Sequence, residues 1–408
     1  MLTGLAGWTG PAAADDLRLG VGRPVSAVRE SFFLAVPEGT STLALARLSV
    51  AADPASLQIR FPDAVVSVEG WRVRHPVTGP LERRGDAAVW RPDAFPVAAP
   101  PLVDLYLRSP LAVTTRVELT YLTTGLAWSA RYTVQVRGDL AREEEAVALD
   151  LSARVRLENR TGRAYADARV LLVGEDAPPE AARAPPAGFL MLDEHPLADL
   201  WQDPPPAVRP RFSYLLPDPV TWPADGVLDV RWLEAPRRPA TRLYRLTEAE
   251  SQQGASGGTR ALNRWLVMSH GAAGEVTALP AGQAEVQMGG QRAGAVRDAW
   301  IPHTAAGGQL RVDLGPVAEV TGERKFRSRT GKVGDSYEET RSVEVVNQLG
   351  SAIQIEVEER PPTELEWELL RSTAPHQRAG RRLIFATRVE AGGRQEIRYT
   401  VRIREPAF

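Results

Sequence analysis

Cysteine occurs nowhere in this sequence of 408 residues. Its absence excludes disulfide bonds, thiolate nucleophiles and cysteine-ligated zinc, but it leaves the compartment open, because disulfide-free envelope proteins are common. Lysine is nearly absent as well, since only Lys325 and Lys332 stand beside the arginines among 49 cationic residues. That bias reads as a trace of a GC-rich genome and carries no functional weight. No stretch approaches the ~18 uninterrupted apolar residues of a membrane-spanning helix, so no transmembrane segment is expected. A formal net charge of −2 with 25% charged residues lacks the basic excess on which nucleic-acid binding depends, so nucleic acid is not an expected partner. Helical periodicity is sparse, and no heptad run appears.

What the chain has in quantity is turn residues and alternation. Its 34 Gly and 33 Pro make up about a sixth of the residues, against ~12% in average usage, as expected of many short strands joined by turns. One strand–turn–strand phrase occurs twice. In ARVRLENRTGRAYADARVLL an alternating strand runs into Asn159-x-x-Gly162, and in SVEVVNQLGSAIQIEVEE another runs into Asn347-x-x-Gly350. Leu149, Leu151, Val155 and Leu157 share one face of the first strand, while Asp150, Arg154, Arg156 and Glu158 share the other, which is the pattern of a half-buried antiparallel strand. Asn and Gly accept left-handed backbone cheaply, so their place between two such runs marks a turn. The expectation is an all-β chain of several antiparallel β-sandwich, immunoglobulin-like modules with long loops and little helix.

The modules are expected at residues 17–102, 103–235, 236–335 and 336–408. The segment 1–16 ends in Ala12-Ala13-Ala14 before two acids, resembling the end of a secretory signal; a disordered or strand-leading N-terminus reads the same residues equally well. A Pro/Ala-rich stretch at 178–210 is too proline-broken for a strand and reads as a long surface connection, and SQQGASGGTR at 251–260 reads as a flexible loop. The closing segment RRLIFATRVEAGGRQEIRYTVRI carries a hairpin turn at Ala391-Gly392-Gly393.

The order of the segments ELTYLTTGLAWSARYTVQV, RVRLENRTGRAYADARVLLVGED, FSYLLPDPVTWPADG, LPAGQAEVQMGGQRAG and VEVVNQLGSAIQIEVEERPP, followed by the closing hairpin, resembles a domain of unknown function found in mucoidy-inhibitor-A-like bacterial proteins. The resemblance covers roughly residues 17 to 405 and is to a short form without the family's coiled coil. It implies an all-β protein of the periplasm or cell envelope, and it brings no catalytic residues.

Catalytic and metal-binding patterns each have a plainer reading. Gly254-Ala255-Ser256-Gly257-Gly258 matches the nucleophile elbow, which needs a strand before it and a helix after it; here it lies in a Gly/Ser loop. His75, His195, His270, His303 and His376 are solitary, without a partner at ligand spacing. Glu364, Glu366 and Glu368 form a row of acids on one strand face that can hold calcium, although a solvated outer face explains them better. No catalytic residue, metal site or cofactor is therefore assigned.

Binding signals are weighed in the same way. Arg324, Lys325, Arg327, Arg329 and Lys332 surround Phe326 and can dock a polyanion, while charged strand edges that prevent aggregation account for the same residues. Arg137-Gly138-Asp139 spells the cell-adhesion tripeptide and is also a good turn. Trp201, Trp222 and Trp232 can line a glycan-binding face or pack in a core. Trp128 and Tyr132 share an apolar parity with Leu126 and Ala130, so they are expected as structural anchors, as are Asn159, Gly162, Asn347 and Gly350 at the turns. The expected function is a non-catalytic structural or interaction protein of the bacterial cell envelope, whose partner is a protein or an envelope polysaccharide. A carbohydrate- or polyanion-binding module and a hydrolase with an unrecognised site stand as alternatives.

Overall fold

The structure, a computed structural model, describes residues 16–22, 25–62, 65–74, 81–84, 87–90, 100–140, 142, 146–174, 212–247, 258–270, 278–288, 295–331, 336–361 and 365–404. The N-terminal signal-like segment, the 178–210 connection, His75, His195, Trp201, the serine of the elbow-like loop, Lys332 and Glu364 lie outside them.

The fold is all-β and mainly antiparallel, and among the described residues the one helical turn is a 3-10 turn at Pro54–Ser56. Asp53 caps that turn by accepting from the N–H of Ala55 at 2.9 Å. Chain contacts divide the protein into two units. The first comprises Met1–Arg131 with Arg154–Trp232, and the second Tyr132–Ala153 with Leu233–Phe408.

The first unit holds the strands β1 (Asp16–Val21), β2 (Ser26–Val36), β3 (Gly39–Leu45), β4 (Gln58–Arg60), β5 (Ser67–Arg74), β6 (Leu81–Arg84), β7 (Ala87–Trp90), β8 (Leu102–Ser109) and β9 (Val113–Thr123). The strands β10 (Leu126–Arg137) and β11 (Val147–Asn159) pass from one unit into the other; β12 (Tyr165–Gly174), β13 (Phe212–Leu215) and β14 (Val220–Trp222) belong to the first. Its main sheet runs β13-β12-β1-β2-β9-β4, with β14 also on β12; β3-β8-β5 and the hairpin β6-β7 are separate. Among the described residues only β1 and β12 pair in parallel within it.

The second unit follows with β15 (Val227–Leu246), which begins in the first, then β16 (Arg260–Ser269), β17 (Gly282–Met288), β18 (Ala295–Ile301), β19 (Gln309–Gly331), β20 (Ser336–Asn347), β21 (Ile353–Glu359), β22 (Glu366–Ser372), β23 (His376–Ala379), β24 (Arg382–Val389) and β25 (Arg394–Arg404). Its sheet runs β15-β16-β19-β20-β25-β22, with β21 joined in parallel to β15 and antiparallel to β24.

Period two governs burial. Along β11 the residues Val147, Leu149, Leu151, Ala153, Val155, Leu157 and Asn159 are all buried, and their alternates are not. Along β20 the inward parity is Tyr337, Glu339, Arg341, Val343, Val345 and Asn347, so two charged residues sit on the face that packs against Tyr399, Val401 and Phe385. Both apolar faces end in an asparagine, and that parity carries each side chain inward.

Candidate functional site

The two asparagines occupy equivalent positions. Asn159 Nδ2 donates to the carbonyls of Arg163 at 2.7 Å and Pro223 at 2.8 Å, while its Oδ1 accepts from the N–H of Thr161 at 3.0 Å. Asn347 Nδ2 donates to the carbonyls of Ser351 at 2.9 Å and Glu390 at 2.9 Å, and its Oδ1 accepts from the N–H of Leu349 at 3.0 Å. The backbone repeats the match: Asn159 N donates to Gly226 O and Asn347 N to Gly393 O, each at 2.9 Å. Each asparagine therefore closes the turn between two strands that do not pair with each other, β11 and β12 in one case and β20 and β21 in the other, so the turns are not hairpins, and each fastens a second turn, Pro223–Gly226 or Glu390–Gly393. The flanking strands correspond too, since Tyr165 pairs with Trp222 on β14 where Ile353 pairs with Val389 on β24.

This alters the expectation that Asn and Gly serve both turns by taking left-handed backbone. Gly162 does so, with φ at 70°, and a Cβ there would lie 2.8 Å from Val50 Cγ2. Gly350 is outside the left-handed region, and an added Cβ would meet nothing. In the facing turns the left-handed residues are Asp225 (φ 49°) and Gly392 (φ 61°). The asparagines act through their buried amides, which satisfy backbone groups that would otherwise be stranded away from water.

The first turn is also wired to a buried charge cluster. Glu30, on the inward face of β2 between Val28 and Phe32, is fully buried. It accepts from Arg163 Nη2 at 2.7 Å and Nη1 at 3.1 Å, and from Arg47 Nη1 at 3.2 Å. Arg163 Nη1 also donates to Tyr121 Oη at 3.0 Å and to the Arg47 carbonyl, and the Arg47 guanidinium covers the Phe32 ring at 3.8 Å. Burial pushes the Tyr121 phenol well above its ordinary range and raises that of Tyr165. The Arg163 guanidinium, for all its desolvation, is held above its usual range by Tyr121 and Glu30. Two arginines thus flank one buried carboxylate, with the Tyr121 hydroxyl held against Arg163. The cluster binds strand to turn.

The basic stretch of β19 is neutralised residue by residue. Arg324 Nε donates to Glu359 at 2.6 Å, Lys325 Nζ pairs with Glu323 at 2.8 Å and Glu344 at 2.9 Å, and Arg327 Nη2 pairs with Glu396 at 2.7 Å. Arg329 Nε donates to the buried Glu339 at 3.0 Å, and Arg341 holds that carboxylate's other oxygen at 3.1 Å. Tyr399 Oη donates to Glu359 at 2.8 Å. Lys325 first, by hydrogen bond, holds the Glu344 carboxyl below its ordinary range, and Arg327 does the same for Glu396. These pairs knit β19 to β20, β21 and β25.

The remaining candidates find structural places. Trp128 is half-buried, donates from Nε1 to the Val173 carbonyl at 3.0 Å and meets Tyr214 edge-on at 6.0 Å; a Cβ on Gly174 would lie 2.8 Å from its ring. Tyr132 is buried, and its hydroxyl donates to the Pro280 carbonyl at 2.5 Å. Trp222 is fully buried, and Trp232 is half-buried, edge-on to Tyr214 at 6.1 Å. Of the adhesion-like tripeptide, Arg137 Nε donates to Asp150 at 2.8 Å. The left-handed Arg237 (φ 49°) gives its N–H to the same carboxylate, also at 2.8 Å. Those bonds, Arg237 first, hold the Asp150 carboxyl below its ordinary range. His270 is buried, and His376 lies exposed beside Phe385. Glu366 and Glu368 face solvent on either side of the buried Trp367. Among the described residues no group of three or more His, Asp or Glu is placed to hold a metal ion, and no helix is long and apolar enough to cross a membrane.

Comparison with protein-family models, with curated proteins and with solved structures gives no match. Sequence reasoning passed over Glu30, Glu339 and Glu359, although a signal for them exists. Each is a carboxylate on the inward parity of an apolar strand, a position at which a charge survives only if it is paired.

Proposed function

We propose that the chain is a non-catalytic interaction scaffold of the bacterial cell envelope, related to the mucoidy-inhibitor-A-like proteins whose segment order it shares. The observation that carries this reading is how the buried polar side chains are employed. Asn159, Asn347, Glu30 and Glu359 each tie together strands or turns far apart in sequence, and Glu339 ties β20 to β19. Such ties hold sheet faces in fixed geometry, and a fixed face is what a scaffold offers to a partner.

The test is fractionation of the native host combined with cross-linking in intact cells. Recovery in the envelope fraction, within a species larger than the 44.4 kDa chain, is the expected result. Recovery solely as a cytosolic monomer overturns the proposal.

A further inference from the structure

The outward face of the first unit's main sheet carries an arrangement of like charges that the fold does not need. In register across the sheet, Arg169 on β12 stands opposite Arg18 on β1, and Arg18 stands opposite Arg29 on β2; the row continues through Thr120 on β9 to Gln58 on β4. Like charges directly opposite one another on neighbouring strands weaken a sheet. With strands about 4.8 Å apart, three guanidinium groups start within roughly 10 Å of one another.

The adjacent row is Asp16, Ser31, Glu118 and Arg60, and the next pairs Phe33 with Arg116. Asp16 takes Arg18 at 2.9 Å and Glu118 takes Arg29 at 3.3 Å. Arg116 donates to Ser31 Oγ at 2.8 Å. Among the described residues no carboxylate lies within ion-pair distance of Arg60, Arg116 or Arg169, and all three are exposed. Asp167, on the bulged start of β12, has left-handed backbone (φ 51°) and lies outside the paired rows. The contrast with the basic stretch of β19 is plain, because there every described cation has its glutamate.

We propose that this face docks an acidic polysaccharide, the guanidinium groups of Arg60, Arg116 and Arg169 taking its carboxylates, while Arg18 and Arg29 are already paired with Asp16 and Glu118. Arginine binds a carboxylate through two parallel N–H bonds, and a face with several such groups suits a chain that carries many carboxylates. Phe33, 58% exposed and opposite Arg116, supplies a flat apolar ring against which the face of a sugar stacks. An anionic membrane fits less well. The exposed apolar residues on this face, Phe33 on β2 and Leu215 on β13, are separated by β1 and β12 and form no contiguous patch to insert. This inference rests on the interaction-scaffold reading and names its partner class.

The experiment measures binding of the full chain to polygalacturonate at low and high salt, with neutral dextran and phosphatidylglycerol vesicles as comparison probes. Salt-sensitive binding to polygalacturonate alone is expected, weakened about tenfold or more in the Arg60→Ser, Arg116→Ser, Arg169→Ser triple variant. That variant should keep the wild-type melting temperature, since none of the three closes an ion pair. Replacing Lys325 and Arg327 with Ser should leave binding unchanged. No binding at low salt, equal binding by the triple variant, equal binding of dextran, or preference for the vesicles would each overturn the proposal. If fractionation places the protein in the envelope while polygalacturonate is not bound, the partner class fails and the scaffold reading stands.

Discussion

The two asparagine turns use one bracket in different surroundings. Around Asn159 the next positions are polar: Thr161 Oγ1 donates to Asn159 Oδ1 at 2.7 Å and lies 3.2 Å from Tyr165 Oη, and Arg163 runs on to Glu30. Around Asn347 the matching positions are Leu349 and Ser351, and Leu349 packs against the apolar core. The first turn thus belongs to a buried polar network, and the second rests Leu349 against the apolar core. The bracket itself is carried by geometry common to both, whereas the network is an addition that costs desolvation and is stable only when complete.

The largest expected effect comes from breaking that network. Glu30→Ala leaves two guanidinium groups buried without their carboxylate and should destabilise the first unit by about 3–5 kcal/mol in urea unfolding. Replacing Glu30, Arg47 and Arg163 together with Met should recover most of the loss, because the charges leave as a set. A cost below 1 kcal/mol for Glu30→Ala would mean that water reaches the cluster.

The asparagines come next. Asn159→Ala and Asn347→Ala should each cost about 2–3 kcal/mol, since each strands two carbonyls and an N–H. If the bracket is the common element, the two losses agree closely, with Asn159 the larger because Thr161 loses its acceptor as well. Loss at only one of the two would break the equivalence.

The glycines sharpen the difference. Gly162→Ala meets both left-handed strain and Val50 and should cost about 1–2 kcal/mol. Gly350→Ala should be neutral or stabilising by about 0.4–1 kcal/mol, through reduced freedom of the unfolded chain. Thermal melts of the two variants read this directly.

The smallest effects at neutral pH appear at the ends of the pH scale, and in opposite directions. Tyr121 is raised in the folded state, so its contribution is whole below the ordinary phenol pKa and fades as pH climbs above it. Tyr121→Phe should remove that alkaline loss. Glu344 is lowered in the folded state, so its contribution holds above the ordinary glutamate value of 4.5 and fades as pH falls below it. Glu344→Gln should flatten the acid limb slightly, and added salt should mask the change because the pair is exposed. An acid limb that salt does not touch would contradict the exposed ladder.

Much of this was legible in the residues. The alternation in VALDLSARVRLEN predicts strand, face and even the inward aim of Asn159, because side chains in a strand change sides with every residue. The same counting places Glu30, Glu339 and Glu359 inside, where their charge announces a partner. It also places Trp128 inward, yet the ring is only half-buried: parity assigns a side, and depth depends on what lies over that side. The ion pairs of residues 324–329 were not legible for a related reason. The glutamates that neutralise them lie up to 69 residues away in sequence.

What the sequence determined by itself is the class of the fold, the strand faces and the inward position of each asparagine and carboxylate, since all of these follow from local period and chemistry. What only the tertiary structure decided is which groups meet. Pro223 and Gly226 fall to Asn159, Glu390 and Gly393 to Asn347, Arg47 and Arg163 to Glu30, and three arginines come to stand in one row. Period two settles the side on which a residue lies and says nothing of strand order or register, which come from pairing segments distant in the chain.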